Sequence, residues 1–188
     1  MSELTEPLTD QDLPRPFTRI GEPGWAERAR AVLELYEVPL PTPVPASEIQ
    51  HRERELGIRF PDAYSTLLSE LGPADLDGFR FLPPREATTL RDFYLRDELS
   101  EADRVRLPEF LAVLEYCGTD DPFAVHLPTE VVYRCGHDPL GFSCRLDSLH
   151  VLAQLAFLAL PRSYYGFPGE KVEELVARAQ VALAGREL

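Results

Sequence analysis

The chain reads as an α+β protein, with N-terminal helices, a central antiparallel β-sheet and C-terminal helices. Two observations predict this class. Apolar residues recur at helical spacing before Gly72 and after Asp147, and between them lie short apolar runs divided by turn signals. The elements also come in blocks, helices then strands then helices, and not in the strand–helix alternation of a doubly wound parallel sheet. At 188 residues the chain suits one buried core and is short for two. The expected organisation is a flexible, acidic, Pro-rich arm over residues 1–24 and a single domain over residues 25–188.

The first helix is expected over 25–37, where Trp25, Ala29, Val32, Leu33 and Tyr36 form an apolar stripe. Trp25 and Tyr36 suit the core or a second subunit equally, and the sequence does not fix the oligomeric state. Residues 38–45, VPLPTPVP, alternate proline with other residues and should be extended polyproline, because each Pro fixes its own φ and restricts its predecessor. This is a spacer or strap, or else a site for a proline-recognition module. Next come two amphipathic helices joined at a sharp corner. Ile49 and Leu56 share one face of the first, Gly57 supplies the left-handed residue that ends it, and Pro61 suits the first turn of the second. Tyr64, Leu67, Leu68 and Leu71 follow at helical spacing, and Gly72-Pro73 stops the helix.

A loop over 74–78 leads to a short strand at 79–82, ended by Pro83 and Pro84, and residues 85–99 read as a helix or helical loop. Residues 110–117 and 123–127 should be two strands of an antiparallel hairpin around Gly118-Thr119-Asp120-Asp121-Pro122. Further strands are expected at 131–135 and, as a short edge, at 142–146. Asp147 or Ser148 can cap the next helix, whose body LHVLAQLAFLAL is apolar on nearly every side and should be buried across the sheet. A last amphipathic helix carries Val172, Leu175, Val176, Ala179 and Leu183.

Charge narrows the partners. With 19 basic and 32 acidic residues the formal net charge is −13, which repels nucleic acid and anionic lipid but attracts a basic protein. No apolar run approaches the ~20 residues of a membrane span, and the N-terminus lacks a signal peptide's apolar segment, so a cytoplasmic protein is expected. Cys117, Cys135 and Cys144 are odd in number and widely spaced, which in that compartment argues for reduced core thiols.

The corner Leu56-Gly57-Ile58-Arg59-Phe60-Pro61, with Tyr64 and the double leucine Leu67-Leu68 after it, resembles the N-terminal signature of the SUKH superfamily. That family includes bacterial immunity proteins against polymorphic toxins and fungal cell-wall regulators. The resemblance extends over residues 46–160. Phe79 to Leu82 followed by Pro-Pro-Arg-Glu is similar to the family's strand with a proline and an acidic residue, Cys117 to Val125 to its Gly-Asp hairpin, and Leu146 to Leu152 to the start of the helix after its sheet. Leu71-Gly72-Pro73-Ala74-Asp75 stands where the family commonly has an Asn-Gly-Gly-like turn, and the first helix, the proline strap and the last helix lie outside the match. What the resemblance implies is a non-enzymatic protein-binding domain, an immunity protein that neutralises a cognate toxin, a nuclease for example, by occlusion. The alternative is a scaffold or regulatory adaptor of the same fold.

Signatures of catalysis are thin. There is no Gly-rich phosphate loop or metalloprotease pair, and Gly141-Phe142-Ser143-Cys144-Arg145 lacks the second glycine of a nucleophile elbow. Cys135-Gly136-His137 with Cys144 and Cys117 falls short of the paired, closely spaced ligands of a zinc site, so neither metal nor cofactor is expected. Cys117 with His126, or Cys144 with His137, would be the dyad of a small thiol hydrolase, the least favoured reading. Asp75-Leu76-Asp77-Gly78 starts like a calcium loop but lacks the distal ligands and reads as a solvated turn. The belt Asp97, Glu98, Glu101 and Asp103, with Glu109 and Glu115, is a solvated face, or under the immunity reading an electrostatic footprint. The acidic groups offered to a basic protein partner are Asp120 and Asp121 on the hairpin, with Asp75, Asp77 and Glu115.

Overall fold

The computed structural model describes residues 19–35, 38–76, 78–94, 100–116, 121–137 and 140–159. The helix expected around Val172 to Leu183 lies outside the described residues, as do Tyr36, Asp77, Asp97, Glu98, Cys117 and Asp120. The architecture is α+β, as the blocks of the sequence predict. Helices α1 (Trp25–Leu35), α2 (Ala46–Leu56) and α3 (Asp62–Glu70) precede a seven-stranded antiparallel sheet, and α6 (Leu149–Ala159) follows it. The strands are β1 (Asp75–Leu76), β2 (Phe79–Phe81), β3 (Thr88–Thr89), β4 (Phe110–Tyr116), β5 (Asp121–His126), β6 (Val132–His137) and β7 (Leu140–Leu146). Two short helices, α4 (Leu90–Phe93) and α5 (Glu101–Arg106), and a 3-10 turn at Leu107–Glu109 lie between β3 and β4.

The corner between α2 and α3 forms for the reasons read in its residues. Gly57 takes φ 67 and its N–H donates to Glu53 O, as does that of Ile58 at 3.1 Å, so the chain turns back over the last turn of α2. Glu53 also accepts from the Phe60 N–H through Oε1 at 2.7 Å, which ties the corner from within. Pro61 stands at the N-cap of α3, one place before the first turn, and its carbonyl receives the N–H groups of Tyr64 and Ser65. Tyr64, Leu67, Leu68 and Leu71 are all fully buried. Trp25 faces the core with Ala29, Val32 and Leu33. Inside the expected arm, Arg19 and residues 21–24 are exposed, but Ile20 is buried and its N–H donates to His150 Nδ1 at 3.2 Å.

In the sheet the strand order is β1-β2-β4-β5-β6-β7, and β3 also pairs with β4. β2 and β3 lie end to end along one edge of β4, opposite Leu114 to Tyr116 and Leu111 to Ala112 respectively. Residues 83–87 leave the sheet between them. This corrects the helix or helical loop expected over 85–99, whose beginning is a turn and then a strand. Among the described residues of this stretch the helix is α4, which Thr89 caps by accepting from the Asp92 N–H. β1 likewise replaces part of the expected loop at 74–78. β7 is longer than the expected short edge. Its ladder with β6 runs from Val132↔Leu146 to Arg134↔Ser143, so Cys144 and Arg145 oppose Tyr133 alone, and Cys144 takes φ 47. A second bulge, at Val113 in β4, turns Leu111, Val113 and Leu114 toward the main core and leaves Phe110 and Ala112 on the other face.

The sheet thus has two apolar faces. The first packs on α1, α2, α3 and α6 through Phe79, Phe81, Leu111, Val113, Phe123, Val125 and Val132. From Val151 to Phe157 every residue of α6 is buried, as its apolar sequence requires. Ser148 does not cap it, for its Oγ is buried without a hydrogen bond. The second face carries a smaller cluster under α4 and Leu107. Ala112, Ala124 and Cys135 are small enough there for Tyr94 to cross them and donate its hydroxyl to Cys135 O at 2.9 Å. No helix among the described residues is long and apolar enough to cross a membrane.

Candidate functional site

Among the described residues the second face of the sheet is covered in its middle by α4 and Leu107, and its two ends differ in chemistry. At one end Phe110 on β4, Tyr133 on β6 and Phe142 on β7 form an aromatic triangle. Phe110 and Phe142 are 4.7 Å apart between centroids, and Tyr133 meets Phe110 and Phe142 edge-on at 5.9 and 5.7 Å. Phe110 is buried while Tyr133 and Phe142 are half-buried, so the triangle has a closed base and an open rim. The Arg106 guanidinium lies 4.5 Å over the Phe142 ring, the geometry of a cation–π contact. Antiparallel pairing produces this set, because alternate residues of β6 and β7 reach the same face.

Polar groups border the triangle at the β5–β6 turn. His126 stacks on Phe110 at 4.7 Å, its Nδ1 is 2.7 Å from Thr129 Oγ1, and its Nε2 is 3.4 Å from Glu109 Oε2. Glu130 beside them takes φ 58 and is exposed, as is Glu109. A carboxylate, an imidazole and a hydroxyl in line are the parts of a nucleophilic relay. Here they sit in an open turn, and Thr129 Oγ1 lies 3.5 Å from the Val131 N–H as its acceptor, so the three groups close the turn.

At the other end, cross-strand register brings Asp75, Arg80 and Glu115 into one row over β1, β2 and β4. The Arg80 guanidinium bonds both Glu86 and Glu115. The hydrogen bond from Arg80 is the main cause that holds the Glu86 carboxyl below the usual carboxylate range. The same two carboxylates raise the pKa of Arg80. The signature helices grip this end from behind. Tyr64 of α3 donates its buried hydroxyl to Leu82 O at 2.6 Å, and Arg52 of α2 donates to Ala87 O through Nε and Nη2 at 3.1 and 2.9 Å. The excursion 83–87 is therefore fastened at both ends by the two helices on which the family resemblance rests.

Of the residues expected to meet a partner, Asp75 is exposed and Glu115 half-buried, and the structure brings these two together around Arg80. Asp121 stands elsewhere. It opens β5 instead of tipping the hairpin, is 9 % exposed, and pairs with Arg134 Nη2 at 3.0 Å on the helix-covered side. Arg134 lies thirteen positions away in the chain, so its pairing with Asp121 is set by the β5–β6 ladder. Asp77 and Asp120 lie outside the described residues. The aromatic triangle and its polar border were missed in the sequence, although the apolar residues at 133, 135, 140 and 142 alternate as a one-sided sheet requires.

The thiols are passive in this setting. Burial pushes Cys135 far above the ordinary thiol range and Cys144 up to about 11, so both are protonated near neutrality. Cys117 and the side chain of His137 lie outside the described residues. Among the described residues no three His, Cys, Asp or Glu side chains gather as a metal would require. The outer faces of α2 and α3 hold a shallow polar groove of about 340 Å³ bordered by Gln50, Glu53, Arg59, Asp62 and Ser65. No protein-family model matches the chain, and no match was found among curated proteins.

Proposed function

We propose that this chain is a non-enzymatic, SUKH-like protein-binding domain that neutralises a basic toxin domain by covering its working surface. The observation that supports the reading is the half-open aromatic triangle of Phe110, Tyr133 and Phe142 with Glu109 and Glu130 at its border. Interfaces draw their energy from a few aromatic anchors inside a polar rim, and a rigid sheet offers such anchors at little ordering cost. The net charge of −13 attracts a cationic partner from a distance and orients it. A nuclease, which carries basic groups to hold phosphate, presents the complementary surface.

The test is titration of the purified chain with inactive forms of the proteins encoded beside it, followed by calorimetry at low and moderate salt. A complex that weakens as salt rises is expected. Tyr133→Ser combined with Phe142→Ser should lower the affinity at least about a hundredfold, since central aromatic anchors cost about 2 kcal/mol or more each. Absence of any complex, or a double variant that binds like the parent, would overturn the reading.

A further inference from the structure

Residues 38–45 join α1 to α2 and are anchored at both ends. The Val38 N–H donates to Leu33 O at 2.9 Å and the Val44 N–H to Leu68 O at 2.8 Å. Between these anchors the backbone of Thr42 rests directly on Gly72, with no room for a side chain there. Val44 is buried and Val38 and Pro41 are half-buried, whereas Pro39, Leu40, Thr42, Pro43 and Pro45 are exposed. The inward residues therefore fall at every third position. That is the period of a polyproline II helix, which the prolines at 39, 41, 43 and 45 favour by fixing φ. Pro45, with φ −58 and ψ 138, has that conformation.

Two ridges face outward from the strap. Leu40 and Pro43 form one, and Pro39, Thr42 and Pro45 the other, with successive members about 9 Å apart at the polyproline rise. Leu40 is 48 % exposed, an apolar side chain that the fold does not use. Among the described residues the carbonyls of Pro39, Leu40, Pro41 and Pro43 accept no hydrogen bond, so a row of acceptors runs along the ridges. Linking two helices needs only the inward set, and the prolines supply stiffness without any need for Leu40.

We propose that residues 39–45 are a docking ridge for a protein domain with a shallow groove of parallel aromatic rings and indole or phenol donors. Grooves of this class read polyproline II segments. Leu40 and Pro43 fill neighbouring slots between the rings, and the free carbonyls accept from a Trp N–H or a Tyr O–H. The strap is already ordered by its anchors on α1 and α3, so binding does not repeat the entropic cost that a free Pro-rich peptide meets. The ridge lies on the helical side of the sheet, away from the aromatic triangle, and does not depend on the function proposed above.

The experiment is a binding array in which the full chain is offered to purified WW-type and SH3-type domains, with a Leu40→Asp, Pro43→Asp double variant beside it. Both substituted residues are exposed and neither is an anchor, and thermal melting of the variant checks the fold. At least one domain should bind, with affinity about tenfold or more lower in the double variant and unchanged in the Tyr133→Ser, Phe142→Ser variant. Leu40→Ala should give a smaller loss in the same direction. Binding by no domain, binding undiminished in the double variant, or a loss that follows Tyr133 and Phe142 instead, would each overturn the proposal.

Discussion

Replacing Gly72 by alanine tests how tightly residues 38–45 are held against the end of α3. Gly72 has φ 101, and a Cβ built on it lies 2.6 Å from the carbonyl carbon of Thr42 and closer still to its oxygen. Two separate costs follow. A left-handed backbone costs an alanine about 1–2 kcal/mol. Relief of the overlap also lifts the strap, which breaks the bond from Val44 N–H to Leu68 O, worth about 0.5–1.5 kcal/mol, and uncovers Val44, whose burial is worth about 1.5–3 kcal/mol. Gly57→Ala is the control, since φ there is 67 and nothing lies within 4 Å of its built Cβ. It bears the first cost alone. The expected losses are about 3–6 kcal/mol for Gly72→Ala and about 1–2 kcal/mol for Gly57→Ala. With a urea slope of about 2 kcal/mol per molar, their midpoints should differ by about 1–2 M. Trp25, the single tryptophan and a buried one, reports the transition by its fluorescence. Equal midpoints for the two variants would refute the argument that the strap is seated on Gly72.

Tyr64→Phe removes the buried hydroxyl from Leu82 O and leaves that carbonyl without its donor, so urea denaturation should show a loss of about 1–3 kcal/mol; a change inside experimental error would count against the fastening of the excursion. Because Arg80 depresses the Glu86 carboxyl in the folded chain, the pair's contribution is present above the ordinary value of 4.5 and is lost as pH falls below it. Glu86→Gln should therefore flatten the acid limb of stability against pH, and an unchanged limb would contradict the pairing. Cys144, with its thiol pushed up to about 11 by burial, should react with iodoacetamide at pH ~8 far more slowly in the native than in the urea-unfolded chain. Mass spectrometry of the Cys144 peptide reads the ratio, and equal rates would refute the burial argument.

The legible parts of this fold are those whose causes are local. Gly57 and Pro61 mark the corner between α2 and α3 because helix ends are decided by the residues at them, and α6 announces its burial by being apolar all round. The hairpin of β4 and β5 follows from two apolar runs with turn residues between. β1 and β3 were missed because a two-residue strand has no periodicity, and Thr88 and Thr89 are extended only because Leu111 and Ala112 lie opposite. The same cause hides the site. Asp121 looks like a turn residue until Arg134 is placed beside it, and the meeting of Phe110, Tyr133 and Phe142 depends on strand order and on the bulges at Val113 and Cys144. Asp75 and Glu115 could be named from their charge. That they share Arg80 as a neighbour could not, since register decides it.

The kink at Cys144 also bears on how the molecule behaves in a crowded solution. Among the described residues β7 is the outermost strand, and an unprotected border of its length invites a second chain to add itself and extend the ladder without limit. With φ 47 at Cys144 and two residues of β7 opposite Tyr133, the bulge interrupts the regular ladder that an incoming strand would have to match. Fibril growth along this border is thus checked by backbone shape, and restoring a regular extended conformation at position 144 would remove that safeguard.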